Sequence, residues 1–255
     1  MKTIGCSIAI RNAIEYDFCI SECIRSVAPV CDEILVADSD STDGTMDLLL
    51  SLAVQIPQLK ILNYPHEEPN NDGLYVMRWT NWIRERLSTD YNFQIDADEV
   101  LHESCYGNFR ERLQGPEVSL LVQRWNFWID AQTMVPFGEL CGHEVLRVAP
   151  KRHWLPADVP LPQGQDAMNL QVDARDIQIF HYGFLRKPEA FFKKEKFLQT
   201  AFTGGYDPHL DRLEDRKHDF MKERVDQFHG RPLEKFLGTH PAVAHQWLLD
   251  RGYQP

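Results

Sequence analysis

Several absences narrow the field before any motif is considered. No stretch approaches the ~18 uninterrupted apolar residues of a membrane-spanning helix, so an integral membrane class is not expected. The patterns GxGxxG and GxxxxGK[ST] are both missing, which leaves a Rossmann dinucleotide site and a P-loop without support. Six cysteines are scattered with no CxxC pair, and several fall inside apolar patterns where cysteine behaves as a small hydrophobe. A reduced, cytoplasmic protein, at most peripheral to a membrane, is therefore expected rather than a secreted disulfide framework. Positive charge is in deficit: 27 Lys and Arg stand against 38 Asp and Glu, a net charge of −11. A surface of that sign repels polyanions, so nucleic acid is a disfavoured partner. The sequence has no internal repeat and no low-complexity segment.

What is present suits a soluble globular protein. The 255 residues, 43% hydrophobic and 25% charged, supply enough apolar material for one α/β domain with a small appendage. Residues 1–10 read as a first strand rather than a signal peptide, with Ile4, Cys6, Ile8 and Ile10 on one face. Ile20, Cys23, Ile24 and Val27 recur at helical spacing and are stopped by Pro29. The apolar run 33–37 predicts a strand buried on both faces, followed by a cap-rich turn at 38–44 and a helix from Met46. Further strands are predicted at 59–63 and 91–95, with a helical stripe of Val76, Thr80, Ile83 and Leu87 between them. This alternation is the mark of βαβ units and a parallel sheet. Strands at 118–125, 145–148 and 177–181 are then separated by Pro- and Gly-bearing loops, and from Pro188 onward the chain reads as helical, most clearly at 211–228.

Open parallel sheets bind ligands at the carboxyl ends of their strands, and two acidic clusters fall there: 38–43 and 96–99. Asp96 and Asp98, two apart in an extended segment, are expected to point to one side and to offer hard oxygen donors for magnesium or manganese. Such an ion neutralises the charge on a departing nucleoside diphosphate. The plainer alternative is that the carboxylates cap a helix. For 38–45 the alternative is an ordinary strand–turn–helix junction. The functional reading there has Asp38 accepting from a base imide or a ribose hydroxyl.

Taken in order, SIAIRN at 7–12, DEILVADSDSTDGT at 32–45 and IDADE at 95–99 resemble family 2 glycosyltransferases of the GT-A fold. The segment 179–188, IFHYGFLRKP, is similar to the His-containing stretch that follows the sheet in many such enzymes. The resemblance covers about the first hundred residues. It implies a mostly parallel nucleotide-binding sheet flanked by helices, with a mixed second half and a helical C-terminal extension. The expected divisions are a catalytic domain at 1–185, split into a nucleotide-sugar half at 1–100 and an acceptor half at 101–185, and the extension at 186–255. It further implies a nucleotide-sugar donor, usually a uridine one, and a divalent metal. On that pattern Ala9, Arg11 and Arg78 would face the nucleotide, Asp38 the base, and Asp96 the ribose or the metal. Asp98 would be the principal metal ligand and His181 a third one. Lys187, in a basic stretch with Arg186, Lys193, Lys194 and Lys196, would approach a phosphate.

Inverting transfer needs a base to take the proton of an acceptor hydroxyl. Asp130, Glu139, Glu144 and Asp158 are the candidates, and Glu144 is preferred because it precedes a strand on the presumed acceptor side. No ED or ExD pair of the usual kind follows the DxD. Trp125, Phe127, Trp128 and Trp154 are read as core in the main, with some available to stack on a sugar. A glycan or lipid-linked saccharide is the expected acceptor, with a hydroxymethylated DNA base as the alternative. A nucleotidyltransferase shares the architecture, but RNAIE at 11–15 is not its phosphate loop. A non-catalytic nucleotide-sugar binder is the third class.

Overall fold

The computed structural model describes residues 1–66, 75–136, 143–153, 165–203 and 231–255. In chain order the elements are β1 (Ile4–Ile10), α1 (Ile20–Val27), β2 (Glu33–Asp38), α2 (Thr45–Gln55), β3 (Leu59–Asn63) and α3 (Tyr75–Arg86). They continue with β4 (Tyr91–Gln94), β5 (Glu99–Leu101), α4 (Tyr106–Glu111), β6 (Ser119–Trp128), β7 (Asp130–Met134) and β8 (Glu144–Pro150). The last are α5 (Gln165–Asn169), β9 (Gln171–His181), α6 (Pro188–Thr203), β10 (Glu234–Lys235) and α7 (His245–Leu249).

Among the described residues the strands form one sheet in the order β10-β7-β6-β8-β4-β1-β2-β3, with β9 beside β6 and β5 paired to β9. β3, β2, β1 and β4 are mutually parallel, and β8 joins β4 antiparallel. The even-numbered side chains of β1 sit in one apolar layer with Ile20, Cys23, Ile24 and Val27 of α1 and Leu49 of α2. The opposite face of β2, through Leu35 and Ala37, packs on Trp79 and Ile83 of α3. That burial on both faces explains the uninterrupted apolar run at 34–37. Gly5 keeps β1 close to its neighbours, because a Cβ there would lie 2.4 Å from Thr89 Oγ1 and 2.5 Å from Leu87 Cδ2.

The order 3-2-1-4 has its topological switch between β1 and β4, the place where such sheets open a crevice. The second half closes over that crevice. β9 runs parallel to β6 and antiparallel to β5, so that Glu99 lies opposite His181 and Asn126 is also the register partner of His181. Residues after 186 do more than append helices: β10 pairs with β7, while Phe236, His240 and Trp247 pack into an aromatic cluster with Phe127, Phe180 and Tyr182. The predicted helix at 211–228 lies outside the described residues. Cys6, Cys19, Cys23, Cys31 and Cys105 are buried free thiols, and burial pushes the thiols of Cys19 and Cys23 well up. No helix among the described residues is long and apolar enough to cross a membrane.

Candidate active site

At the switch point the ends of β1 and β4, the turn after β4, the end of β9 and one side of α6 enclose a cavity of about 400 Å³. Its walls are mostly apolar. Phe197 of α6 meets Tyr16 at 6.2 Å and Tyr75 at 6.4 Å between ring centroids, roofing the space above Ala9 and Ile10. The polar floor is a chain of ion pairs. Glu99, fully buried, accepts from Arg147 at 2.5 Å and from Arg124 at 3.2 Å, and Arg147 also holds Asp96 at 2.6 Å. Asp98, 4% exposed, accepts from Lys194 at 2.8 Å and from Arg186, while its Oδ1 lies 3.7 Å from His181 Nε2. Burial alone would raise the Asp98 carboxyl, but Lys194, His181 and Arg186 together hold it well below the usual carboxylate range.

Backbone pairing accounts for this convergence. Tyr182 N donates to Asp98 O at 2.9 Å, stitching the end of β9 to the acidic turn. His181 Nδ1 faces the acceptor Asn126 Oδ1 at 2.9 Å and donates there, which fixes the ring with Nε2 directed toward Asp98 Oδ1. Gly183 leaves the gap open: a Cβ on it would sit 2.5 Å from His181 Nε2 and 2.8 Å from Asp98 Oδ2. Arg186 is locked in place by donating to Gly183 O at 2.8 Å and to Tyr16 O, with Phe18 stacked 3.9 Å from its guanidinium. Behind it Asp17 accepts from Lys187 N at 2.8 Å and from the guanidinium of Arg251, tying the region after residue 186 to the loop after β1.

No protein-family model matches the chain. The SPbeta prophage-derived glycosyltransferase SunS of Bacillus subtilis (strain 168) is 31% identical over 105 residues, which is 41% of this chain and 22% of SunS. The SunS of Bacillus phage SPbeta matches to the same extent, so the chain spans about a fifth of the length of these relatives. Among solved structures, S. aureus TarS superposes with a TM-score of 0.50 at 14% identity, over 87% of this chain and 43% of TarS. The chain has the GT-A glycosyltransferase fold. Both matches agree with the family 2 resemblance carried by the first hundred or so residues. A mannosyltransferase of Pyrobaculum calidifontis, solved with GDP-mannose and Mn2+, aligns at TM-score 0.48 and 15% identity over 98% of this chain and 79% of its own.

In this GT-A frame Ala9, Arg11, Asp96, Asp98 and His181 all line the cavity. The acidic segment is not extended, however. Glu99 N donates to Asp96 O at 2.9 Å, closing a turn that sends Asp96 to Arg147 and Asp98 to Lys194 and His181. Three other expected residues sit apart from the cavity wall. Asp38 spends its carboxylate on Ser41 N at 3.0 Å and on the Ser41 hydroxyl, Lys187 is exposed, and Arg78 lies on the helix outside the lining. Glu144, the preferred base, is also displaced. It opens β8, pairs with Arg175 of β9 at 3.0 Å, and does not line the cavity. Register explains this, because Arg147, three residues on, is the β8 side chain that reaches the floor. Asp130 sits at the start of β7, where it accepts from Gln132 N at 2.9 Å, while Glu139, Asp158 and Trp154 lie outside the described residues. Phe127 and Trp128 are core, and Trp125 packs on Phe236.

The residues not foreseen are Arg147, Arg124, Asn126 and Gly183, and Arg186 and Lys194, named only as part of a basic stretch, hold Asp98. One signal for Lys194 was available: Phe191, Lys194 or Glu195, and Leu198 share a helix face at i, i+3 and i+4 spacing, and all line the cavity.

Proposed function

We propose that the chain is a metal-dependent glycosyltransferase that takes a nucleotide-sugar donor in the cavity between β1 and β4 and transfers its sugar, with inversion, to an acceptor hydroxyl of a saccharide. The observation that carries this reading is the meeting of the end of β1, the acidic turn after β4, and His181 in one cavity of the GT-A fold.

The divalent cation implied by the fold family is compatible with the residues present. Asp98 and His181 offer one hard oxygen and one imidazole nitrogen, and the Cβ-free backbone of Gly183 leaves room beside both. A cation there would be held by these two protein donors and completed by substrate phosphates. When bound, such an ion would stabilise the charge that builds on the leaving diphosphate. Arg11 and Lys194 add fixed positive charge around the same space within a protein of net charge −11, favouring an anionic donor locally. The aromatic roof of Tyr16, Tyr75 and Phe197 places apolar surface over the polar floor, and a lower local polarity strengthens charge interactions.

The test is release of nucleoside diphosphate from a panel of UDP- and GDP-sugars in the presence of Mn2+. Wild type is expected to release it from at least one donor, and Asp98→Ala and His181→Ala to lose that turnover. No release from any common donor, with nucleotide binding unchanged in Asp98→Ala, would overturn the proposal.

A further inference from the structure

Two cations compete for the carboxylate on which the proposed function would place a metal. Arg186 cannot leave it cheaply, since its side chain is 0% exposed and is fixed by Gly183 O, Tyr16 O and the Phe18 ring. Lys194 is different. Its side chain is 24% exposed, Asp98 is its single ion-pair partner among the described residues, and it stands on α6 between residues that wall the cavity. A lysine ammonium is a point charge on a flexible stem, so it can change partner without disturbing the helix that carries it.

We propose that Lys194 is an exchangeable counter-charge: it pairs with Asp98 beside Arg186 in the metal-free protein and passes to the donor's diphosphate when a divalent cation takes that carboxylate. This rests on the metal-dependent reading above and adds a residue to it. Without an ion, Arg186 alone matches the single charge of Asp98, so Lys194 is the second cation on one carboxylate and the one free to leave. With an ion present, an ammonium 2.8 Å from Asp98 Oδ2 repels it. The incoming diphosphate supplies the anionic partner that the displaced ammonium then needs, within reach of the same helix face. Metal and nucleotide therefore bind with positive coupling through one side chain.

The experiment titrates Mn2+ alone, followed by the spectroscopic signal of the free ion, into wild type, Lys194→Met and Lys194→Arg. UDP and GDP are then titrated calorimetrically at saturating Mn2+. Methionine keeps the length and helix propensity of the lysine, so folding is not at stake. Lys194→Met is expected to bind Mn2+ alone about tenfold more tightly than wild type, because a like charge has been removed. With Mn2+ saturating it should bind the preferred nucleotide about tenfold more weakly, having lost a charge-assisted contact. Lys194→Arg should stay near wild type for Mn2+ alone. Unchanged or weaker Mn2+ binding in Lys194→Met overturns the counter-charge, and unchanged nucleotide binding overturns the hand-over. A wild type that takes up no Mn2+ with or without either nucleotide fails the metal reading itself, an outcome distinct from both.

Discussion

Replacing Asp98 with Asn keeps the size of the side chain and removes the charge on which Arg186, Lys194 and the His181 ring converge. The largest consequence falls on Arg186, whose guanidinium is fully enclosed and would be left facing an amide. Breaking one side of a buried pair costs about 3–5 kcal/mol. Lys194 is partly exposed and can turn to solvent, so the lower end, about 3 kcal/mol, is expected. For a chain of this size that corresponds to a drop in Tm of about 6–12 °C. The pH dependence is also fixed in sign. The Asp98 carboxyl is held well down in the folded state, so its contribution is complete above the unfolded value of about 3.9 and is lost as pH falls through the lower folded value. Urea unfolding followed by tryptophan fluorescence should therefore show the same gap between wild type and Asp98→Asn at pH 7, 6 and 5. Adding Lys194→Met to Asp98→Asn should recover part of the loss, because the second unbalanced charge goes with it. A gap under about 0.5 kcal/mol at pH 7, the range of an ordinary surface change, would refute the reasoning. So would a gap that already closes between pH 7 and pH 5.

Three further outcomes follow from neighbouring geometry. Gly183→Ala drives a methyl against His181 Nε2 and Asp98 Oδ2, so it should destabilise by about 1–3 kcal/mol and weaken Mn2+ binding together; a variant that unfolds like wild type and titrates Mn2+ normally would show that the gap is not needed. Arg251→Ala removes the fork on Asp17, a pair about one-tenth exposed on each side, and should cost about 1.5–3 kcal/mol in thermal unfolding; a Tm within a degree of wild type would mean the clasp is slack. His240 accepts or donates between Tyr182 Oη at 2.8 Å and Ala131 O at 2.7 Å, and burial lowers it to about 4. The unfolded chain takes that proton first, so stability present above pH 6.5 is lost as pH falls toward 4, by about 3 kcal/mol at 1.36 kcal/mol per pH unit. His240→Phe should flatten that part of the stability–pH curve whatever it does to the absolute value, and parallel curves would assign the slope elsewhere.

The parallel half was legible because local pattern and tertiary role coincide there. The alternation of Ile4 to Ile10 and the apolar run at 33–37 report burial directly, Pro29 marks where the first helix must stop, and the elements match to within a residue or two. Asp96 and Asp98 stood out by their place after a buried strand, and His181 by the resemblance of 179–188 to a family segment; all three line the cavity. Their partners did not stand out. Arg124, Asn126 and Arg147 reach the site only through the register of β6 with β8 and β9, which includes irregularities at Leu120/Leu121 and Val122/Gln123 that no periodicity reveals. Glu144 was preferred because it precedes a strand on the presumed acceptor side, and place along the chain does not say which side of β8 a side chain takes; it pairs with Arg175 instead of lining the cavity. Lys187 and Lys194 lie in one basic run, and only the turn of α6 over the cavity separates the exposed lysine from the one on Asp98.

The contact between Asp17 and Arg251 joins positions 234 apart in the chain. The strands from β1 to β4 lie within the first hundred residues and can assemble as they leave the ribosome, at ~5–20 residues per second. Asp17 gains its guanidinium partner only when residue 251 has been added, whereas the groups that grip Asp98 lie at 181–194. During synthesis the sheet thus exists before the grip on Asp98 does, and the clasp behind that grip closes last.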